Sequence, residues 1–175
     1  MTQPVYMLLA LAALAPAAQM QPAADLSVHS VRKPGFEMRF VDFHWRPELF
    51  EAMEKGGSAL PEAQRNWMLA RIVTTAPFTL EGTKVPAANY ALALWPNLDG
   101  KGLALELRRV DMRDVLVRDV IAPAPEGTTV YKAPARFETT TDTVPRLALQ
   151  VGEGEGSLSL EVRYGNRRLP LTFVR

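Results

Sequence analysis

Asp42 and His44 are the two residues whose types and spacing best suit chemistry. They stand two apart in a predicted strand, so their side chains should leave the same face. A carboxylate beside an imidazole stabilises the imidazolium, while apolar surroundings oppose its charging. The pair could supply the acid–base step of a small hydrolase-like enzyme. In the structural alternative, His44 hydrogen-bonds the following loop and Asp42 pairs with Arg46 or Arg71.

Three further residues are candidates for binding a ligand. Arg46 follows the carboxylate–histidine pair and directly precedes a predicted helix. Arg71 interrupts a stretch that is apolar on both faces, where its charge needs a carboxylate or access to water. Each of the three tryptophans could bind a ligand or simply pack in the core. Trp95 stands just before Pro96 at a predicted strand end, so core packing is least expected for it.

The composition gives little support for metal or cofactor chemistry. The 175 residues include no cysteine and two histidines, His29 and His44, whereas a catalytic zinc ion usually has three protein ligands. We find no Walker loop, no dinucleotide fingerprint and no Gly-x-Ser-x-Gly nucleophile motif. A net charge of +1 argues against a nucleic-acid-binding protein, which normally carries a concentrated basic face. We therefore expect no metal site, no cofactor and no nucleic-acid partner.

The elements that must position these residues are predicted to be strands. The stretch Phe78–Val110 has apolar residues at period two on both sides of a glycine-containing turn, which predicts a hairpin. We expect six residues to line one core: Tyr90, Leu92, Leu94, Leu103, Leu105 and Leu107. Alanine alternates with the first three, so the other face of that strand should be covered as well.

The flanking segments complete a β-rich pattern. Phe36–Trp45 predicts a strand whose apolar phase slips after Phe40, as a bulge would cause. Pro47–Lys55 predicts a helix, because proline suits the first helical position and the apolar residues form one stripe. Asn66–Thr75 predicts a central strand that is apolar on both faces.

Val115–Ile121 is predicted to be a further strand, and alternating segments continue from there to the carboxyl terminus between glycine- and proline-rich turns. Many short strands separated by turn signals indicate a sandwich or a barrel. We predict an all-β fold: an antiparallel β-sandwich of about seven to nine strands with one short helix, Pro47–Lys55. Residues 36–175 should form a single domain.

The central stretch also carries a family resemblance. The run from Phe78 to Pro96 has the pattern G-x-x-[LV]-P-x-x-x-Y, followed by a strand that ends in proline. It resembles a family of uncharacterised bacterial secreted proteins, domain of unknown function 2911, and the two closing strands are similar to the end of that family. The resemblance covers about half the chain and implies an extracytoplasmic β-sandwich without an established activity. Two features depart from the family pattern: Ala88 replaces its usual glycine, and Trp67–Arg71 replaces its Trp-Arg-x-Gly-Ala-Asn run, so a function tied to that run would not carry over.

The amino terminus predicts export. Met7–Ala15 is a short apolar run, and the following Ala-Pro-Ala has the spacing of a signal-peptidase site. We predict a signal peptide at residues 1–18, a flexible lead-in at 19–35, and a periplasmic or secreted mature protein. No later stretch is apolar for long enough to span a membrane.

Two classes of function remain open at this point. The first is a non-enzymatic binding or interaction module for a small molecule or an envelope protein, and the missing catalytic motifs favour it. The second is the hydrolase-like enzyme built on Asp42 and His44. A concave pocket containing both residues would favour the enzyme, whereas a flat exposed surface would favour the binding module.

Overall fold

The computed structural model describes residues 27–61, 65–97, 102–111, 127–154 and 157–174. In chain order, the helix and strands are β1 (Val28–Lys33), β2 (Phe36–Val41), α1 (Pro47–Glu54), β3 (Trp67–Thr74), β4 (Phe78–Leu80), β5 (Thr83–Val85), β6 (Asn89–Pro96), β7 (Leu103–Arg109), β8 (Thr128–Ala135), β9 (Glu138–Gly154) and β10 (Ser157–Val174). The predicted signal peptide at residues 1–18 and the predicted strand Val115–Ile121 lie outside the described residues.

The strands form two antiparallel sheets, which confirms the all-β sandwich. One sheet has six strands in the order β1-β2-β3-β6-β7-β8, and the other has four in the order β5-β4-β10-β9. The helix begins at Pro47, as predicted, and ends at Glu54, one residue early. The described residues contain ten strands, more than the seven to nine predicted, and β1 is a strand that was not expected.

The core lies between the sheets and follows the period-two pattern. All six residues expected to line it are at most 2% exposed, and they form one cluster with apolar residues of the four-stranded sheet and of α1. On the opposite side of β6, Ala91 and Ala93 are fully buried, as the alternation predicted. They belong to a second, small cluster with Met68 and Val110, against which Trp95 packs.

Two boundary predictions need correction. The expected lead-in of residues 19–35 contains β1, which pairs along its length with β2, so the sandwich includes Val28 and does not begin at Phe36. The expected strand Phe36–Trp45 ends at Val41 instead of continuing through a bulge. Its apolar phase changes because the chain leaves the six-stranded sheet: the Trp45 N–H donates to the Pro145 carbonyl of β9 at 2.8 Å.

The four-stranded sheet bends where β10 passes the aromatic residues around α1. Gly165 has a φ of +61°, and the pairing of β10 with β9 shifts register on both sides of it. The Trp45 ring packs edge-on against Tyr164, with 4.6 Å between ring centroids. Phe50 of α1 is fully buried beside both rings. This packing fixes the position of the segment that contains Asp42, His44 and Arg46.

Candidate functional site

Asp42 lies at the end of β2 and holds the start of β1. Its Oδ1 atom accepts a hydrogen bond from the Ser27 N–H at 2.7 Å, and its Oδ2 atom lies 3.2 Å from Nε2 of His29. Arg146 of β9 reaches Oδ1 at 3.4 Å. Burial raises the pKa of the Asp42 carboxyl, but these donors outweigh it, so the pKa lies below its usual value.

The imidazole beside Asp42 therefore belongs to His29, not to His44. Pairing of β1 with β2 places His29 opposite Phe40, where the two rings stack with 5.0 Å between centroids. His44 is exposed and forms an isolated backbone bridge with Arg146. Its carbonyl accepts a hydrogen bond from the Tyr164 hydroxyl at 2.6 Å. The sequence could not indicate that His29 takes the place expected for His44, because His29 was expected to lie in a flexible segment.

Arg46 contributes its backbone to the same region. It occupies the N-cap position of α1, and its N–H donates to the Tyr164 hydroxyl at 3.1 Å. Burial raises the pKa of Tyr164 to about 12, against a smaller opposing effect of Arg46. The Arg46 side chain is exposed, and the structure places it on a different element from the other two ligand candidates.

Arg71 and Trp95 share one face of the molecule. We use the name outer face for the side of the six-stranded sheet away from the core, which carries Arg71, Ala91, Ala93, Glu106 and Arg108. Arg71 stands beside Ala91 in the register of β3 and β6, and Trp95 is four residues further along β6 on the same side. Arg108 stands beside Ala91 on the other flank, and its guanidinium lies 4.2 Å from the centroid of the Trp95 ring.

The guanidinium of Arg71 is poorly satisfied for a buried charge. Its side chain is 10% exposed, and its contact with a carboxylate is a 3.4 Å hydrogen bond to Glu37. The expected pairing of Arg71 with Asp42 is therefore wrong. Burial and then the nearby charge of Arg39 lower the pKa of Arg71, while Glu37 opposes the shift. Within the described part of the chain, its buried Nε atom has no hydrogen-bond partner.

Glu106 anchors the other half of the outer face. This buried carboxylate receives Arg108 Nε at 2.8 Å and Lys132 Nζ at 2.7 Å. Burial raises the pKa of Glu106, but the hydrogen bonds from Lys132 and Arg108 more than compensate and hold it below its usual value. Near this group, the buried Nε1 of Trp95 also has no hydrogen-bond partner among the described residues.

Sequence reasoning missed Arg108 and Glu106 as parts of a candidate site. The predicted hairpin Phe78–Val110 included both residues, which lie in β7, but neither was selected as a candidate. The signal that was available is the alternation of Ala104, Glu106 and Arg108 with the three core leucines of β7, which places all three on the outer face. Opposite them, Ala91 and Ala93 leave room for long side chains to lie along the sheet.

The structure provides a small apolar cavity in another place. A cavity of about 40 Å³ is lined mainly by Phe36, Phe78, Leu158 and Phe173. Neither Asp42 nor His44 lines it, so this cavity is not the pocket that would have favoured the enzymatic hypothesis. Among the described residues, we find no group of three or more histidine and carboxylate side chains that could hold a metal ion. Within the same ranges, no helix is long and apolar enough to cross a membrane.

Comparison with known proteins finds no matching family model, no matching curated protein and no matching solved structure. The resemblance to domain of unknown function 2911 therefore stays a prediction. It rests on motif residues that the structure places around β5 and β6, from Gly82 to Pro96.

Proposed function

We propose that this protein is an exported, non-enzymatic binding module whose ligand is a small anionic molecule held on the outer face. One observation carries the proposal: of the four buried side-chain nitrogens that lack hydrogen-bond partners among the described residues, two, Arg71 Nε and Trp95 Nε1, lie on this face, and the other two belong to Arg163 and Arg167 of β10. A buried donor without a partner costs roughly 1–3 kcal/mol. A ligand with oxygen acceptors would remove that cost when it binds.

The charges of the outer face support a negative ligand. Five cationic side chains lie on this side of the sheet against two carboxylates, Glu37 and Glu106, an excess of three positive charges. The cations are Arg32, Arg39, Arg71, Arg108 and Lys132. Glu37 is shared between Arg32 and Arg71, so it does not neutralise either one fully.

The geometry also favours a ligand with a flat part. Arginine presents donors in a planar fork that suits carboxylate and phosphate groups. Trp95 is partly exposed, and the guanidinium of Arg108 lies over its ring. A flat group of the ligand would stack on the part of the ring that Arg108 leaves open. The shared chemistry is therefore a carboxylate or phosphate carried on a planar or cyclic body.

Titration with inorganic phosphate, benzoate and a nucleoside monophosphate tests this function. In ¹H–¹⁵N spectra, the Arg71 Nε–H and Trp95 Nε1–H resonances should shift together for at least one probe. Arg71→Leu should remove the response and leave the fold intact, while Arg136→Leu, a change at an exposed arginine, should retain it. If Arg71→Leu does not fold, Trp95→Phe provides the same comparison. Unchanged resonances with all three probes, or equal shifts at every arginine, would contradict the proposal.

Export is tested separately. The apolar run and the Ala-Pro-Ala site support cleavage near Ala17 or Ala18. Intact-mass measurement on the protein recovered from its own host should give the shortened chain from the envelope or the medium. A full-length cytoplasmic product would contradict export and would leave the ligand proposal standing. The hydrolase-like alternative stays a prediction. It was built on Asp42 and His44, whereas the imidazole that contacts Asp42 is that of His29.

A further inference from the structure

β1 presents a regular, unpaired strand edge. In the described part of the chain, it lies at the end of the six-stranded sheet and pairs with β2 alone. The Asp42 N–H donates to the Ser27 carbonyl at 3.2 Å, so these two residues oppose each other as a hydrogen-bonded pair. Bonding alternates along an antiparallel ladder. The N–H and carbonyl groups of Val28, Ser30 and Arg32 therefore point away from β2.

The other edges of the sandwich differ from β1. β5 is three residues long, and β8 and β9 contain Pro134 and Pro145. The segment that follows β2 also pairs with part of β9: the Leu147 N–H donates to the Phe43 carbonyl at 2.9 Å. Short length, proline, covering segments and charged side chains are the usual means by which proteins protect strand edges. Within the described residues, β1 has only the last of these, Arg32 and Lys33, whose positive charge opposes pairing with a second copy of the same edge.

β1 is also held in place before any partner arrives. The Asp42 carboxylate receives the Ser27 N–H at one end, together with the His29 imidazole. Val31 packs against the core at the centre of the strand. A strand that is already ordered loses little conformational freedom when another strand pairs with it, which favours binding.

The charge along this edge selects the partner. β1 carries Arg32, and Arg39 lies next to the strand on β2. The nearby carboxylates are Glu37, which is shared between Arg32 and Arg71, and Asp42, which contacts His29 and Arg146 at the other end of β1. The Arg32 side chain is 77% exposed. We propose that β1 accepts an extended, acidic segment of a partner protein as an additional strand of the six-stranded sheet. Main-chain hydrogen bonds would hold the segment, and its carboxylates would pair with the cations along the edge.

Amide hydrogen exchange with an acidic peptide tests this inference. The probe is a capped ten-residue peptide of alternating threonine and glutamate, and the control peptide has lysine in place of glutamate. With the acidic peptide, the Val28, Ser30 and Arg32 amides should exchange slower by about tenfold, as expected for one new hydrogen bond each. The His29 and Val31 amides, already bonded to β2, should change little. Uniform slowing along β1, or equal slowing with both peptides, would overturn the proposal.

Substitution of Ser30 separates strand addition from charge attraction. Ser30→Pro removes one outward N–H donor and leaves every charge in place, so it should weaken peptide binding about tenfold. Ser30→Thr keeps the donor and should bind as the unchanged protein does. If the protein alone protects the same three amides and associates as its concentration rises, a second copy occupies the edge and the acidic-partner proposal is wrong.

Discussion

Replacing Gly165 with alanine should destabilise the fold strongly, although it adds a single methyl group. Gly165 is buried at the bend of β10 and has a φ of +61°, in the left-handed region that other residues disfavour. A Cβ atom at this position would lie 2.2 Å from the Cδ2 and Cε2 atoms of Trp45. Alanine would therefore strain the backbone and collide with the indole ring.

The expected loss in the free energy of unfolding is the sum of two costs. The left-handed conformation costs an alanine roughly 1–2 kcal/mol. To relieve the collision, Trp45 must move, but its ring is held against Tyr164 at 4.6 Å and Phe50 at 5.4 Å between centroids. Forcing extra atoms into such packing costs about 1–3 kcal/mol. The free energy of unfolding should fall by roughly 2–5 kcal/mol, a large part of a typical domain's stability.

Urea denaturation followed by circular dichroism measures this loss, and Gly82→Ala is the matched control. Gly82 also has a positive φ, +82°, but no described atom lies within 4 Å of the place that an alanine methyl group would take there. The control should lose roughly 1–2 kcal/mol, the backbone cost alone. Equal losses in the two variants would show that the contact between Gly165 and Trp45 does not constrain the fold.

A double substitution tests whether the collision with Trp45 causes the loss of stability. If the collision with Trp45 is the cause, Gly165→Ala should cost less in a Trp45→Leu background than in the unchanged protein. The two changes would then be non-additive, as expected for residues in contact. Additive losses would refute the packing part of the argument and leave the backbone strain as its only support.

Three further predictions concern the core and the polar groups. Leu105→Ala should lower the free energy of unfolding by about 2–5 kcal/mol, because the side chain is 2% exposed; Val174→Ala, at an exposed position, should leave the urea midpoint nearly unchanged. Asp42 has a lowered pKa in the folded protein, so its contribution to stability is full above the unfolded pKa near 4 and is lost as the pH falls through the folded value; Asp42→Asn should flatten this part of the acid denaturation curve. Tyr164→Phe leaves the His44 carbonyl and the Arg46 N–H without their partner and should cost about 1–3 kcal/mol by urea denaturation; an unchanged midpoint would show that water replaces the hydroxyl.

The core was predictable because it depends on local alternation. Leu103, Leu105 and Leu107 reach the same face whatever the rest of the chain does, since successive side chains in a strand alternate. Proline at the first turn likewise predicted the start of α1. β1 escaped prediction because Val28 and Val31 are its only apolar residues, and a strand of this composition forms only where a neighbouring strand is ready to pair with it.

The contacts of the candidate residues depended on pairing between distant strands, which local patterns do not contain. Asp42 meets His29 because β1 folds back on β2, and Arg71 meets Glu37 because β2 and β3 pair in one register. The sequence pointed to Arg71 and Trp95 as unusual residues. Only the pairing of β3, β6 and β7 placed them on the same face, together with Arg108 of β7.

The buried charge of Arg71 is not explained by the stability of the fold. A buried ion pair often contributes no more than an apolar side chain of similar size would, because desolvation offsets the attraction. At position 71, Ala91 of β6 is an apolar neighbour. On the β2 side the neighbours are charged, Arg39 in the strand register and Glu37 at 3.4 Å. A leucine would remove the repulsion from Arg39 and the unsatisfied Nε atom. The guanidinium therefore costs the free protein a donor that it leaves unpaired. The proposed anionic ligand would accept from this donor and so offset the cost. Arg71→Leu should then abolish binding while the free energy of unfolding stays unchanged.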